Sequence, residues 1–171
     1  MVKLNTDGSA FHNPEKIGRG GLLINSQGDL IFAYSVSFGE GTNNQSKIMV
    51  AIFGLSWCLQ LGYTNVILEV HFEMLIIWIK QQAKPLWSIK EHLHSLQTIT
   101  QHFQNFKCNH TYRETNCAAD TLSKHSHKCS NPEIYFTKQK LPKEERSYLE
   151  LDKLGMANFR RRRLKRIKKP P

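Results

Sequence analysis

Polar and apolar residues alternate over residues 2–7, which predicts a strand. Residues 18–25 predict a second strand opened by glycines. The turn chemistry of Ser26, Gln27, Gly28 and Asp29 follows, and residues 30–38 predict a third strand. Three strands joined by short turns make an antiparallel meander. Residues 39–44 break the pattern, and from Asn44 the apolar period becomes helical. Ile48, Ile52, Leu55 and Leu59 recur at intervals of four, three and four, and Met49, Phe53 and Trp57 widen that face. Gly62 is the expected stop. Residues 65–70 predict a fourth strand and residues 72–81 a helix. Beyond Pro85, residues 87–103 predict another helix and residues 106–113 a fifth strand. Asn116 is placed to cap a last helix through Lys124, because its side chain can accept an N–H two or three residues on. The order β-β-β-α-β-α-α-β-α puts a strand–helix–strand crossover after a meander. That implies an α/β fold, a mixed five-stranded sheet with helices packed on it.

After residue 129 the pattern weakens. Residues 143–154 predict a short amphipathic helix through Tyr148, Leu151 and Leu154, and residues 159–171 are too charged to pack and are expected to be disordered alone. The 171 residues thus divide into a domain over 1–128 and a basic extension over 129–171. The net charge of +10 is unevenly spread: residues 1–137 hold 11 Lys/Arg against 10 Asp/Glu, whereas residues 138–171 hold 13 against 4. A field so concentrated attracts polyanions, nucleic acid above all. Arg160, Arg161, Arg162, Arg163, Lys165 and Arg166 are the expected binding arm, or a nuclear-import signal. The most apolar stretch, residues 66–79, is interrupted by Glu69, His71 and Glu73 and is too short to span a bilayer. A nuclear or cytoplasmic monomer is expected, neither secreted nor membrane-bound. Met1 lies very close to the first strand, which hints at truncation.

The four cysteines suggest no disulfide framework. Cys117, His125, His127 and Cys129 are four possible zinc ligands, but their spacing matches no standard module and favours plain surface residues. Trp57, Trp78 and Trp87 could stack on bases, yet their apolar helical contexts favour the core.

Candidate chemistry begins at Asp7, expected to end the first strand where Gly8 lets the backbone turn sharply. Asp120 lies one turn into the last helix behind Ala118 and Ala119, small residues that suit close packing on the sheet. Each acid alone has a structural explanation, a turn in one case and the helix dipole in the other. Four segments in order carry more: LNTDGSA, the TNN of residues 42–44, the strand NVILEVHF, and HTYRETNCAADTLSK at 110–124. Over roughly residues 2–128 they resemble the ribonuclease H family, and more closely its plant branch in retrotransposon-derived genes. The closing segment LPKEERSYLELDKLGMANFRRRR is similar to the tails of plant relatives.

The resemblance implies cleavage of the RNA strand of an RNA/DNA hybrid by two Mg²⁺ ions held by four carboxylates. One ion activates water and the other stabilises the leaving oxygen. It implies that Asp7 bridges both metals, that Asp120 binds one, and that the mobile His110 assists water or product release. Thr42, Asn43 and Asn44 match the loop that meets the hybrid in its minor groove, where the 2′-hydroxyl marks RNA.

Two positions depart from that pattern. Lys47 stands where the family carries Glu, and His71 where it carries Asp. Four negative charges become a net of about −1 for Asp7, Asp120, Lys47 and a neutral His71. At an effective dielectric of 20, one unit charge about 5 Å from a divalent ion is worth roughly 7 kcal/mol before screening. Binding of Mg²⁺ or Mn²⁺ is therefore expected to be weak. Imidazole serves a hard ion poorly and suits zinc or manganese better. Glu69 faces the same way as His71 but about 7 Å further along the strand, and Glu73 follows at a helix start. Lys47 is expected to pair with Asp7 or Asp120. Three readings follow: a nucleic-acid-binding pseudoenzyme on hybrid or duplex, a working hybrid ribonuclease with a remodelled metal site, or a retroelement remnant serving as an interaction module.

Overall fold

The computed structural model describes residues 1–11 and 15–154, so the arginine and lysine positions 160–166 of the expected binding arm lie outside it. Its elements are β1 (Val2–Ala10), β2 (Glu15–Ile24), β3 (Leu30–Gly41), α1 (Asn43–Gln60), β4 (Asn65–Val70), α2 (Glu73–Ile79), α3 (Lys90–Thr100), β5 (Asn105–His110), α4 (Cys117–His125), β6 (Glu133–Tyr135) and α5 (Lys143–Lys153). The sheet runs β5-β4-β1-β2-β3-β6. The meander β1-β2-β3 is antiparallel, whereas β4 lies parallel to β1 and β5 parallel to β4. The mixed sheet is the one the sequence implies, with a sixth strand added at its far edge by β6.

Alternation along the strands feeds two cores. On one face Leu4, Leu23, Phe32, Tyr34, Val66 and Leu68 pack against α1 and α3. On the other, Leu22 and Ala33 meet Ala118, Ala119 and Leu122 of α4 and Leu149 of α5. The fully buried stripe of α1 is Ile48, Ala51, Leu55 and Cys58, while Ile52, Leu59 and the large Phe53 and Trp57 flank it. Gly54 beside that stripe lets α1 come close to the sheet: a Cβ there would lie 2.6 Å from the Tyr34 hydroxyl oxygen and 2.9 Å from Leu4 Cδ2.

Three expectations change here. Trp78 is buried, but Trp87 is 91% exposed, because it opens a single 3₁₀ turn rather than lying inside the helix predicted over 87–103. The buried face of α5 is centred on Leu149 and Glu145, and Leu154 is exposed. Packing also continues past residue 128. β6 pairs with β3 through Ala33↔Tyr135, and Leu141 and Leu149 join the second core. No helix among the described residues is long and apolar enough to cross a membrane.

Candidate active site

The central strand β1 does not end at Asp7. It pairs with β2 as far as Ala10, but its parallel ladder with β4 stops at Asn5↔Glu69. Asp7 therefore sits just beyond the point where β4 leaves, and His71 arrives beside it with Nδ1 3.6 Å from Asp7 Oδ1. Gly8 serves approach rather than a turn: a Cβ there would lie 2.5 Å from the Ser46 carbonyl carbon and 2.6 Å from the Lys47 nitrogen. The missing side chain lets the first turns of α1 press on β1, which brings Lys47 to Asp7.

On the other side α4 is drawn down by Gly20, where a Cβ would lie 2.1 Å from the Ser123 nitrogen. Asn116 holds its N-terminus. Its side chain makes no capping bond. Instead Nδ2 donates to the Thr6 carbonyl at 3.1 Å, and Oδ1 accepts from Asn5 Nδ2 at 3.4 Å. The expected cap is thus a tie between helix and central strand, and it carries Asp120 to Asp7. The sequence did not distinguish these roles, since both call for asparagine at a helix start.

Asp7 and Asp120 are 5% and 6% exposed. Burial raises Asp7 well above the usual carboxylate range, the charge of Asp120 adds to this, and Lys47 only partly opposes it. Burial also acts to raise Asp120, but the Lys124 ammonium at 2.5 Å and Arg113 at 3.5 Å more than offset that and hold it below its ordinary value. The interaction between the two carboxyl groups raises Asp7 and lowers Asp120. Burial pushes His71 down to about 4, helped by Lys47 and Arg113, so its imidazole is neutral at pH 7.

Lys47 forms no ion pair with Asp7; its Nζ lies 4.6 Å over the Phe72 ring. A half-buried ammonium gains there from a ring face as well as from the nearby carboxylates. The space bounded by Asp7, Lys47, His71 and Phe72 is about 10 Å³, room for about one water molecule. Glu69 is engaged elsewhere, accepting from Lys3 at 3.1 Å and from Asn5 at 3.1 Å. Glu73 is exposed.

His110 ends the edge strand β5 opposite Val70, exposed, with its ring against Tyr112. Thr42 caps α1: its Oγ1 accepts from the Gln45 N–H, and its own N–H donates to Gln45 Oε1. Asn43 in the first turn is exposed and Asn44 half-buried. Asp7, Lys47, His71 and Asp120 therefore converge, with His110 on the adjacent edge. Arg113 and Lys124, both on Asp120, complete the electrostatics and were not singled out from sequence.

The reverse transcriptase-like family model matches residues 5–126. A "Putative ribonuclease H protein" of Arabidopsis thaliana is 28% identical over 166 residues, 95% of this chain and 26% of that protein. The chain thus spans about a quarter of that relative's length. Among solved structures, RNase H1 from Halobacterium salinarum has a TM-score of 0.72 at 20% identity, covering 74% of this chain and 97% of that one. LC11-RNase H1, isolated from compost and solved in complex with RNA/DNA hybrid, has a TM-score of 0.69 at 24% identity, covering 74% and 96%.

Proposed function

The chain belongs to the reverse transcriptase-like family and has the ribonuclease H fold, and from that premise we propose that it binds RNA/DNA hybrid or duplex with its hydrolytic activity lost or strongly reduced. The observation that carries this reading is the charge at the paired acids. Asp7 and Asp120 meet Lys47, Arg113 and Lys124, so two acids face three cations. Two-metal hydrolysis needs hard oxygen ligands with enough negative charge to gather two dications. The residues present do not fit that requirement. Burial raises Asp7 to about 7, Asp120 is met by the basic side chains of Lys124 and Arg113, and about 10 Å³ between Asp7 and Lys47 leaves little room.

Binding is supported by different features. LC11-RNase H1, of the same fold, is in complex with RNA/DNA hybrid. Here the exposed Asn43 and half-buried Asn44 begin α1, and the exposed Trp87 starts the turn whose Ser88 carbonyl accepts from Gln45 Nε2. An asparagine pair and an indole beside it offer hydrogen bonds and a stacking face.

The test is cleavage of labelled hybrid with Mg²⁺ and Mn²⁺, beside a binding titration on the same substrate. The native protein is expected to bind and to cleave no faster than its Asp7→Asn variant. The double variant Lys47→Glu/His71→Asp is expected to gain Mg²⁺-dependent cleavage. Native cleavage as fast as that of the double variant would instead establish a remodelled working site. Failure to bind hybrid or duplex would leave the interaction-module reading.

A further inference from the structure

At the end of α4 furthest from Asp120, three elements meet in a cluster unrelated to hydrolysis. His125 is the last residue of α4, Cys129 lies in the turn that follows, and Glu133 begins β6. Their ligand atoms all lie within 4.8 Å of one another, and His125 Nε2 is 3.1 Å from Glu133 Oε2. Tetrahedral zinc with bonds of about 2.0–2.3 Å sets its ligand atoms roughly 3.5 Å apart, so small side-chain adjustments would close the set. A second observation comes from α5. Glu145 is 3% exposed, its Oε2 has no hydrogen-bond partner, and its charge acts on both Cys129 and Tyr135. An unpaired buried carboxylate oxygen is costly, and a cation in this corner would satisfy it.

We propose that His125, Cys129 and Glu133 form a zinc-class metal site that clips β6 to α4, with the buried Glu145 of α5 as a neighbouring charge that favours the cation. The donor set selects the metal. A thiolate with an imidazole disfavours Mg²⁺ and Ca²⁺, whereas Zn²⁺ takes sulfur, nitrogen and carboxylate oxygen together. Of the four zinc candidates in the sequence, only two converge. His127 is turned toward Ser9 and Phe11, and Cys117 bonds to the Arg113 and Glu114 carbonyls at the other end of the helix. The acids from β6 and α5 come from the extension, so spacing within residues 117–129 could not reveal them. The Tyr135 hydroxyl donates to Glu133 and would orient that ligand. Without metal the Cys129 thiol stays protonated. Zinc entry would form the Zn–S bond as that proton leaves to solvent.

The test uses the full chain, stripped with chelator and titrated with Co²⁺ and then Zn²⁺. The expected result is a thiolate-to-cobalt charge-transfer band that saturates at one ion per chain. Cobalt entry should release protons in proportion to the metal bound, and zinc should then abolish the band by displacing cobalt without further proton release. Cys129→Ser should lose the band, and Cys117→Ser should keep it. Glu145→Gln should weaken zinc binding by roughly tenfold or more with the circular dichroism spectrum unchanged. Absence of the band in the native protein overturns the site. So does a band that survives Cys129→Ser, or zinc affinity in Glu145→Gln equal to native. Should Cys129→Ser fail to fold, the native band, its stoichiometry and the proton release still decide.

Discussion

At the scale of single residues, the candidate site is governed by which groups can remain charged. Lys47 and His71 occupy two positions where the ribonuclease H resemblance implies acids, and on the function proposed here each works against metal binding in its own way. Lys47 supplies positive charge, and His71, held neutral by burial and the neighbouring cations, supplies none of either sign. Both departures could be read from the motifs, because the ordered segments fix which positions ought to converge. Asn116 could not. Its amide serves two strand partners, Thr6 and Asn5, at 2% exposure. Asn116→Ala is expected to cost about 1–3 kcal/mol, the range for leaving a buried partner unsatisfied, as read from urea unfolding. The discriminating variant is Asn116→Asp. A capping role would tolerate aspartate, since both side chains accept N–H bonds well. A tie to the Thr6 carbonyl needs a donor, so aspartate should be at least as destabilising as alanine. Native-like stability in Asn116→Asp would restore the capping role.

At the scale of elements, long periodic segments were legible and short or context-dependent ones were not. The helical period after Asn44, the alternation in β1 and the apolar runs of β2 to β4 each rest on several apolar positions and match α1 and those strands closely. β6 has three residues, too few to show a period. It exists because the edge of β3 at Ala33, Tyr34 and Ser35 offers backbone groups to Tyr135, Ile134 and Glu133. The close approaches through Gly8 and Gly20 were invisible for another reason: a glycine in sequence does not reveal what presses on it. The seat of α5 against the sheet yields a pH prediction. Asp152 is pushed up to about 7 by burial and by the charge of Glu69 on β4, against 3.8 ordinarily. The folded chain thus holds this proton more tightly than the unfolded one. Its contribution to stability is fully present below about 3.8 and is lost as pH rises toward 7. Asp152→Asn should therefore raise the melting temperature relative to native at pH 8 more than at pH 4. Equal shifts at the two pH values in thermal unfolding would show that the carboxylate does not titrate in this way.

At the scale of the whole molecule, fold and charge divide the chain differently. Tyr135, Leu141 and Leu149 belong to the second core, so packing extends well into the segment that composition alone sets apart as an extension. Residues 155–171, by contrast, hold eight Lys/Arg and no Asp or Glu, and so carry most of the net +10. Two truncations should separate these contributions. Ending the chain after Ser130 removes three buried apolar side chains, each worth about 2–5 kcal/mol by comparison with large-to-small core substitutions, and should unfold or severely destabilise the domain. Ending it after Leu154 removes the charge and keeps every described residue of both cores, so the melting temperature should hold. Its effect belongs to the salt dependence of nucleic-acid binding. Every duplex phosphate that a cation neutralises adds about 0.9 to the slope of log affinity against log salt, so removal of eight cations can lower that slope by at most about 7. A slope unchanged after that truncation would mean that the cationic segment neutralises no phosphates and that binding rests on the domain surface around Asn43 and Trp87.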